Sequence, residues 1–331
     1  MRVPTDLDSI DWASLTHAYG SAEDVPGLLS ALRSDDAKVR SEARYELNGN
    51  IVHQGTRYEA SAYAVPFLLE LAADRTTPDR HEIISLLTGL ATGYGHDVTT
   101  GFPIATTRDA VAQVPDQTWH SWSQAMKEWY AVVSTGQRQP LPLAKAERRL
   151  LETRHGLAAY DAVRAGIPVL LDCLTDLDAE VAGEAVDALA CFPEEYTSVR
   201  PGLTAIARDD QRPVQLAGAA LVAIGLLGGP CTPPVVDLLN THLRDDDPHL
   251  RWSAAVAWAH LAGEDAPDSV VAELHTWAVA EGQDAGRTVW GARRGNLSLQ
   301  MLARITESAA QDVGGSSARS DATAVSSTTR S

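Results

Sequence analysis

Apolar residues recur at three-to-four spacing in runs that come in twos. A leucine-bearing run such as VPGLLSALR (25–33) leads into an acidic cluster. A run rich in small apolar residues follows, as in EVAGEAVDALACF (180–192) and RWSAAVAWAHLAG (251–263). The period is helical, and alanine and leucine favour helix. Each unit therefore reads as two helices joined by an acidic turn. So short a pair cannot bury both apolar faces alone, and stacking on neighbours would bury them.

The units repeat. HQGTRYEASAYAVPFLLEL (53–71) aligns with HGLAAYDAVRAGIPVLLDCL (155–174) at a constant offset of 102. His53 meets His155, Tyr58 meets Tyr160, Glu59 meets Asp161 and Pro66 meets Pro168. In a second register Pro26, Pro168 and Pro201 are each followed thirteen residues later by Val39, Val181 and Val214. Positions 26, 66, 168, 201 and 237 anchor five units, the second the weakest because Asp79 replaces the valine. Internal repetition of this kind predicts an all-α solenoid.

The proline in the first helix, Asp35 in the turn and Val39-Arg40 at the start of the second resemble the HEAT repeat, and Leu250-Arg251 keeps the last pair conservatively. The segments WASLTHAYGSAEDVPGLL and NIVHQGTRYEASAYAVPFLLEL also resemble an actinobacterial, hence bacterial, group of HEAT-repeat proteins. The resemblance implies an armadillo-type α-α superhelix that binds proteins; it implies no particular activity.

The expected division is 1–93, a first repeat block; 94–154, a helical insertion; 155–310, a second block with a capping helix; and 311–331, a Gly/Ser/Thr-rich tail expected to be disordered. In the insertion, Trp119, Trp122, Met126, Trp129, Tyr130 and Val133 follow helical spacing. They form either a seam on the repeats or an aromatic anchor for a partner.

Charge narrows the partners. The chain carries 27 basic and 44 acidic side chains, a net −17. Residues 165–265 hold 5 basic and 16 acidic, whereas 94–164 hold 8 and 7. Such a field repels phosphate backbones, so neither nucleic acid nor an anionic membrane is an expected partner; a basic protein is. Three scattered cysteines and no signal-like N-terminus lead us to expect a soluble, cytoplasmic chain.

No metal-ligand spacing, phosphate loop or nucleophile motif occurs, so no metal, cofactor or catalytic residue is assigned. Thr56 and Glu59 fit a capping box that would start a helix. Loops entering the first helices carry His17 and Tyr19, His53 and Tyr58, Tyr94 and His96, and His155 and Tyr160, with Arg57 and Arg164 beside them. This ridge, with Trp122 and Trp129, is the expected binding surface, since tyrosine, tryptophan and arginine dominate protein contacts. On the second helices Arg40, Arg44, Glu184, Asp187, Arg251 and Trp252 are further contact positions. A protein-interaction scaffold is the leading reading. The alternative is a lyase-like modification factor using the His/Tyr ridge for acid–base work. A HEAT-like DNA glycosylase would need a basic face, which −17 opposes.

Overall fold

The computed structural model describes residues 7–93, 103–279 and 294–306. They fall into two compact units, one ending at Phe192 and the other starting at Pro193. Both are all-α, stacked helix pairs of the solenoid kind. Among the described residues the only strands are the two-residue β1 (Thr16–His17) and β2 (Gly20–Ser21), an antiparallel pair.

The first unit holds α1 (Val25–Ala31), α2 (Ala37–Ile51), α3 (Glu59–Ala73), α4 (Arg80–Thr92), α5 (Ile104–Ala112), α6 (Asp116–Val133), α7 (Lys145–Ala165), α8 (Ile167–Cys173) and α9 (Ala179–Leu189). Its pairs are α1/α2, α3/α4 and α7–α8/α9. Helix α3 packs on α1, α7 and α8, while α4 packs on α7 and α9. The second unit holds α10 (Tyr196–Ala207), α11 (Val214–Leu226), α12 (Pro233–His242), α13 (Pro248–Ala262) and α14 (Asp268–Val279). A last helix, α15, spans 294–306. The five anchored units thus correspond to five helix pairs.

The acidic turns are caps. Asp36, Asp178 and Asp247 each accept the backbone N–H two residues on, at 2.8, 2.9 and 2.7 Å. Two residues earlier, Asp176 and Asp245 accept the N–H of Asp178 and Asp247. Carboxylates suit orphan donors at a helix start, which carries positive partial charge.

Arginines fasten one pair to the next. Arg40 donates to the Ser34 and Asp35 carbonyls of its own turn and to Asp79 of the next, the last at 2.7 Å. Arg251 repeats this with the Asp245 and Asp246 carbonyls and Glu273. The most buried of these is Arg80, which donates to the Ala72 carbonyl at 2.8 Å and to Asp176 at 2.5 Å.

The structure corrects three expectations. No Thr56 cap forms: α3 starts at Glu59 with Tyr58 as its cap, and the Ser61 hydroxyl accepts the Tyr58 N–H at 2.7 Å. Second, the aligned copies differ in backbone. α3 runs through Pro66, whereas Gly166 separates α7 from α8 just before Pro168. Third, α7 passes unbroken through 154 and 155, so the insertion and the third pair share one helix, inside the first unit.

The capping helix is present. Leu297 and Met301 of α15 are buried, and Ser298 accepts the Trp252 indole N–H at 3.0 Å. The Arg294 guanidinium lies 5.5 and 5.4 Å from the Trp252 and Trp277 ring centroids. The tail expected over 311–331 lies outside the described residues.

Arg80→Met should lower stability by about 3–5 kcal/mol in urea denaturation, because it removes the guanidinium that pairs with the buried Asp176 carboxylate. A loss below about 1 kcal/mol would mean the pair is replaceable. Tyr160→Ala should cost roughly 2–4 kcal/mol and Tyr58→Ala less, since Tyr160 is fully buried and Tyr58 only half.

Candidate functional site

Much of the expected ridge is dispersed by the fold. His17 is buried at 4% exposure on β1, with Asp24 3.0 Å from Nε2 and the Tyr19 N–H donating to Nδ1. The strand pairing that draws it in was not anticipated from sequence. His155 and Tyr160 lie inside α7, not in a loop. The upstream segment 145–154 is itself helical, so the second copy has no entry loop there. Tyr160 donates to the Cys191 carbonyl at 3.3 Å and packs on Phe192, ring centroids 4.9 Å apart. It is a packing residue.

Arg57 and Arg164 are also structural. Arg57 donates to the Gly55 carbonyl at 2.6 Å and threads between Gly93 and Gly156, where any side chain would strike its guanidinium. Gly55 and Gly93 meet backbone to backbone with φ of +83° and +69°, a conformation glycine adopts freely. Arg164 pairs with Asp161 at 3.4 Å, beside a two-pronged Arg108–Asp161 contact at 2.6 and 2.8 Å. Tyr94 and His96 lie outside the described residues.

The tryptophans serve the insertion. Trp119 is buried in a small core with Leu143 and Leu151, and Trp122 packs edge-on against it at 5.3 Å. Trp129 is half-buried and donates to the Gln139 carbonyl at 3.1 Å. Neither Trp122 nor Trp129 is displayed as a free anchor. Asp187 and Trp252, expected as contacts, are buried at 6% and 1% exposure.

What remains of the ridge is one pair and its surroundings. Tyr19 is 62% exposed, its hydroxyl 3.2 Å from His53 Nδ1 and its ring edge-on at 5.3 Å. Both line a groove of about 640 Å³ with side chains from α2 and α4. Ser41, Arg44, Tyr45 and Asn48 recur along one face of α2; Glu82, Ser85 and Leu86 come from α4. Tyr45 is 82% exposed. Arg44 is held by Glu82 at 3.4 Å and Asp79 at 3.9 Å. Glu46, exposed on the same wall, has no ion-pair partner among the described residues. The periodic polar face of SEARYELNGN (41–50) was the sequence signal for this wall.

A second, polar cleft of about 400 Å³ lies where Asp116, His120, Ser123, Gln124 and Lys127 of α6 face Glu59 and Arg154. Lys127 pairs with Glu59 at 3.0 Å. Burial raises the hydroxyl pKa of Tyr58, helped by the neighbouring Tyr130, Glu152 and Tyr19. In α9, burial and then the Glu184 charge hold the Asp187 carboxyl well above its ordinary range. Next to the cleft, His155 is pushed down to about 4, first by burial and then by the cations Arg154 and Lys127.

Among the described residues no three histidine, cysteine or acidic side chains converge as a metal site, and no helix is long and apolar enough to cross a membrane. No family model matches the chain, and no curated protein matches it. Among solved structures it is similar to engineered proteins determined by the Northeast Structural Genomics Consortium. One is 18% identical, with a TM-score of 0.45 over 86% of this chain and 97% of that one. Two others are 17% and 19% identical, with TM-scores of 0.35 and 0.31 over 86% of this chain and 99% and 79% of theirs. Overlap at this level identifies no family.

The His155 shift carries a pH dependence. The unfolded imidazole titrates near 6.5 and the folded one near 4, so on acidification the unfolded chain takes up the proton first. His155 therefore costs no stability above pH ~6.5, and stability falls as pH drops from there to ~4. Half-burial sets the loss on the order of 2 kcal/mol. His155→Gln should flatten the fall in urea-denaturation stability between pH 7 and 4.5 by that amount. Equal slopes for the two proteins would show that His155 protonates freely.

Proposed function

We propose that the chain is a non-enzymatic, HEAT-like protein-binding module, and that the groove between α2 and α4 receives an extended basic segment of a protein partner. One observation carries the reading. Two widely exposed tyrosines, Tyr19 and Tyr45, stand over a groove whose cation Arg44 is already neutralised and whose carboxylate Glu46 is not. Aromatic faces attract guanidinium and ammonium groups, and an unpaired carboxylate adds directional charge. Asn48, Asn50 and Gln54 supply amides able to bond a peptide backbone. The surplus negative charge of the chain, −17, would speed the approach of a basic partner.

The acid–base alternative needs His53, Tyr58, His155 and Tyr160 around one cavity. Of these only His53 lines the groove, while Tyr160 is committed to packing.

A photo-crosslinking residue placed at Tyr45 should capture, from the chain's own cells, a protein segment of net positive charge. The same residue at Leu177, 94% exposed on the α8–α9 turn, should capture far less. Glu46→Lys with the crosslinker at Tyr19 should cut the yield roughly tenfold, the worth of one charge-assisted contact. Equal capture from both positions, or capture of an acidic segment, would overturn the reading.

A further inference from the structure

The α6 cleft has a rim and a floor of different charge. Asp116, His120 and Gln124 are exposed at the rim; Glu59, Ser123, Lys127 and Arg154 are half-buried beneath them. All five α6 residues fall on one helix face, which borders the face that buries Trp119. On the floor, Glu59 is already engaged: it accepts from Lys127 at 3.0 Å and from the Thr16 hydroxyl at 3.5 Å. Arg154 is not. Its guanidinium rests 5.1 Å from the Trp119 ring centroid and meets no carboxylate among the described residues. The carboxylates of its own helix are committed elsewhere, Glu147 to the Ala144 N–H, Glu152 to Arg148 and Asp161 to Arg108. The floor therefore carries one uncompensated positive charge, while the Asp116 charge at the rim is screened by water.

The composition of the segment agrees with that sign, and the same two cations act on His155. Residues 94–164 hold 8 basic and 7 acidic side chains, against 44 acidic and 27 basic in the whole chain. Next to the cleft, Arg154 and Lys127 both disfavour the charged form of His155, after burial.

We propose that this cleft binds a small oxyanion, a carboxylate or phosphate group, through Arg154, with the Ser123 hydroxyl and Lys127 as further donors. The place of Arg154 over the Trp119 ring restrains the side chain, and a guanidinium can offer two parallel hydrogen bonds to one oxyanion. A long polyanion is disfavoured by the acidity of the rest of the chain, so the ligand is a small molecule.

The test is calorimetric titration of the full chain at low salt with inorganic phosphate and, separately, with succinate. Saturable one-to-one binding of either supports the site; phosphate alone assigns a phosphate group, succinate alone a carboxylate. Arg154→Gln should weaken binding roughly tenfold or more. Ser123→Asp, which adds a competing carboxylate while leaving Arg154 on Trp119, should do the same in a protein shown to be folded by its thermal melt. Arg138→Gln, on an exposed loop outside the cleft, should change nothing. Failure of both anions to saturate, or equal weakening by Arg138→Gln, would overturn the proposal.

Discussion

An arginine fork that closes on carbonyls behind it and a carboxylate ahead of it holds successive helix pairs in register. Arg40 and Arg251 sit at the same place in two pairs and make the same set of bonds, to two carbonyls of their own turn and one acid beyond it. Arg80 makes a buried variant, from the Ala72 carbonyl to Asp176. The carbonyls that end a helix have no partner within it, and a guanidinium offers five donors in a fixed plane. One side chain thus satisfies carbonyls of the turn, or for Arg80 one in the last turn of α3, and fixes the next pair against it. The acidity follows in part from this: the turn carboxylates cap helices or receive arginines.

The helix pairs were legible because their signals are local. Apolar spacing, capping aspartates and the Arg40 and Arg251 positions each act within a few residues. What failed was inference across the aligned copies. The 102-residue match made Tyr58 and Tyr160 look equivalent, yet one caps a helix and the other lies within one. The difference is set upstream: Gln54 and Gly55 take left-handed backbone in the first copy, whereas 145–154 is helical in the second. The candidate sites were harder still. Glu59 and Lys127 meet across 68 positions, and the groove depends on how α2 stands from α4. Neither relation leaves a periodic trace.

The segment 53–59 joins the two surfaces. His53 and Gln54 line the groove, and Glu59 lines the cleft. The groove offers an unpaired carboxylate and the cleft an unpaired guanidinium, so neighbouring stretches of one chain present opposite charge. Arg57, wedged between Gly93 and Gly156, pins the backbone between them. Burial, with no carboxylate partner among the described residues, lowers its pKa, a cost accepted at a junction that leaves room for no other side chain.

The tryptophan core has a consequence for motion. Trp119, Leu143 and Leu151 bury one another with Val111, Val114 and Met126, all contributed by α5, α6, the start of α7 and the turns between them. A cluster so small is a separate cooperative element, and its opening free energy is a fraction of that of the stacked pairs. A local opening of this element would leave α3 and α4 closed while moving α6, one wall of the polar cleft.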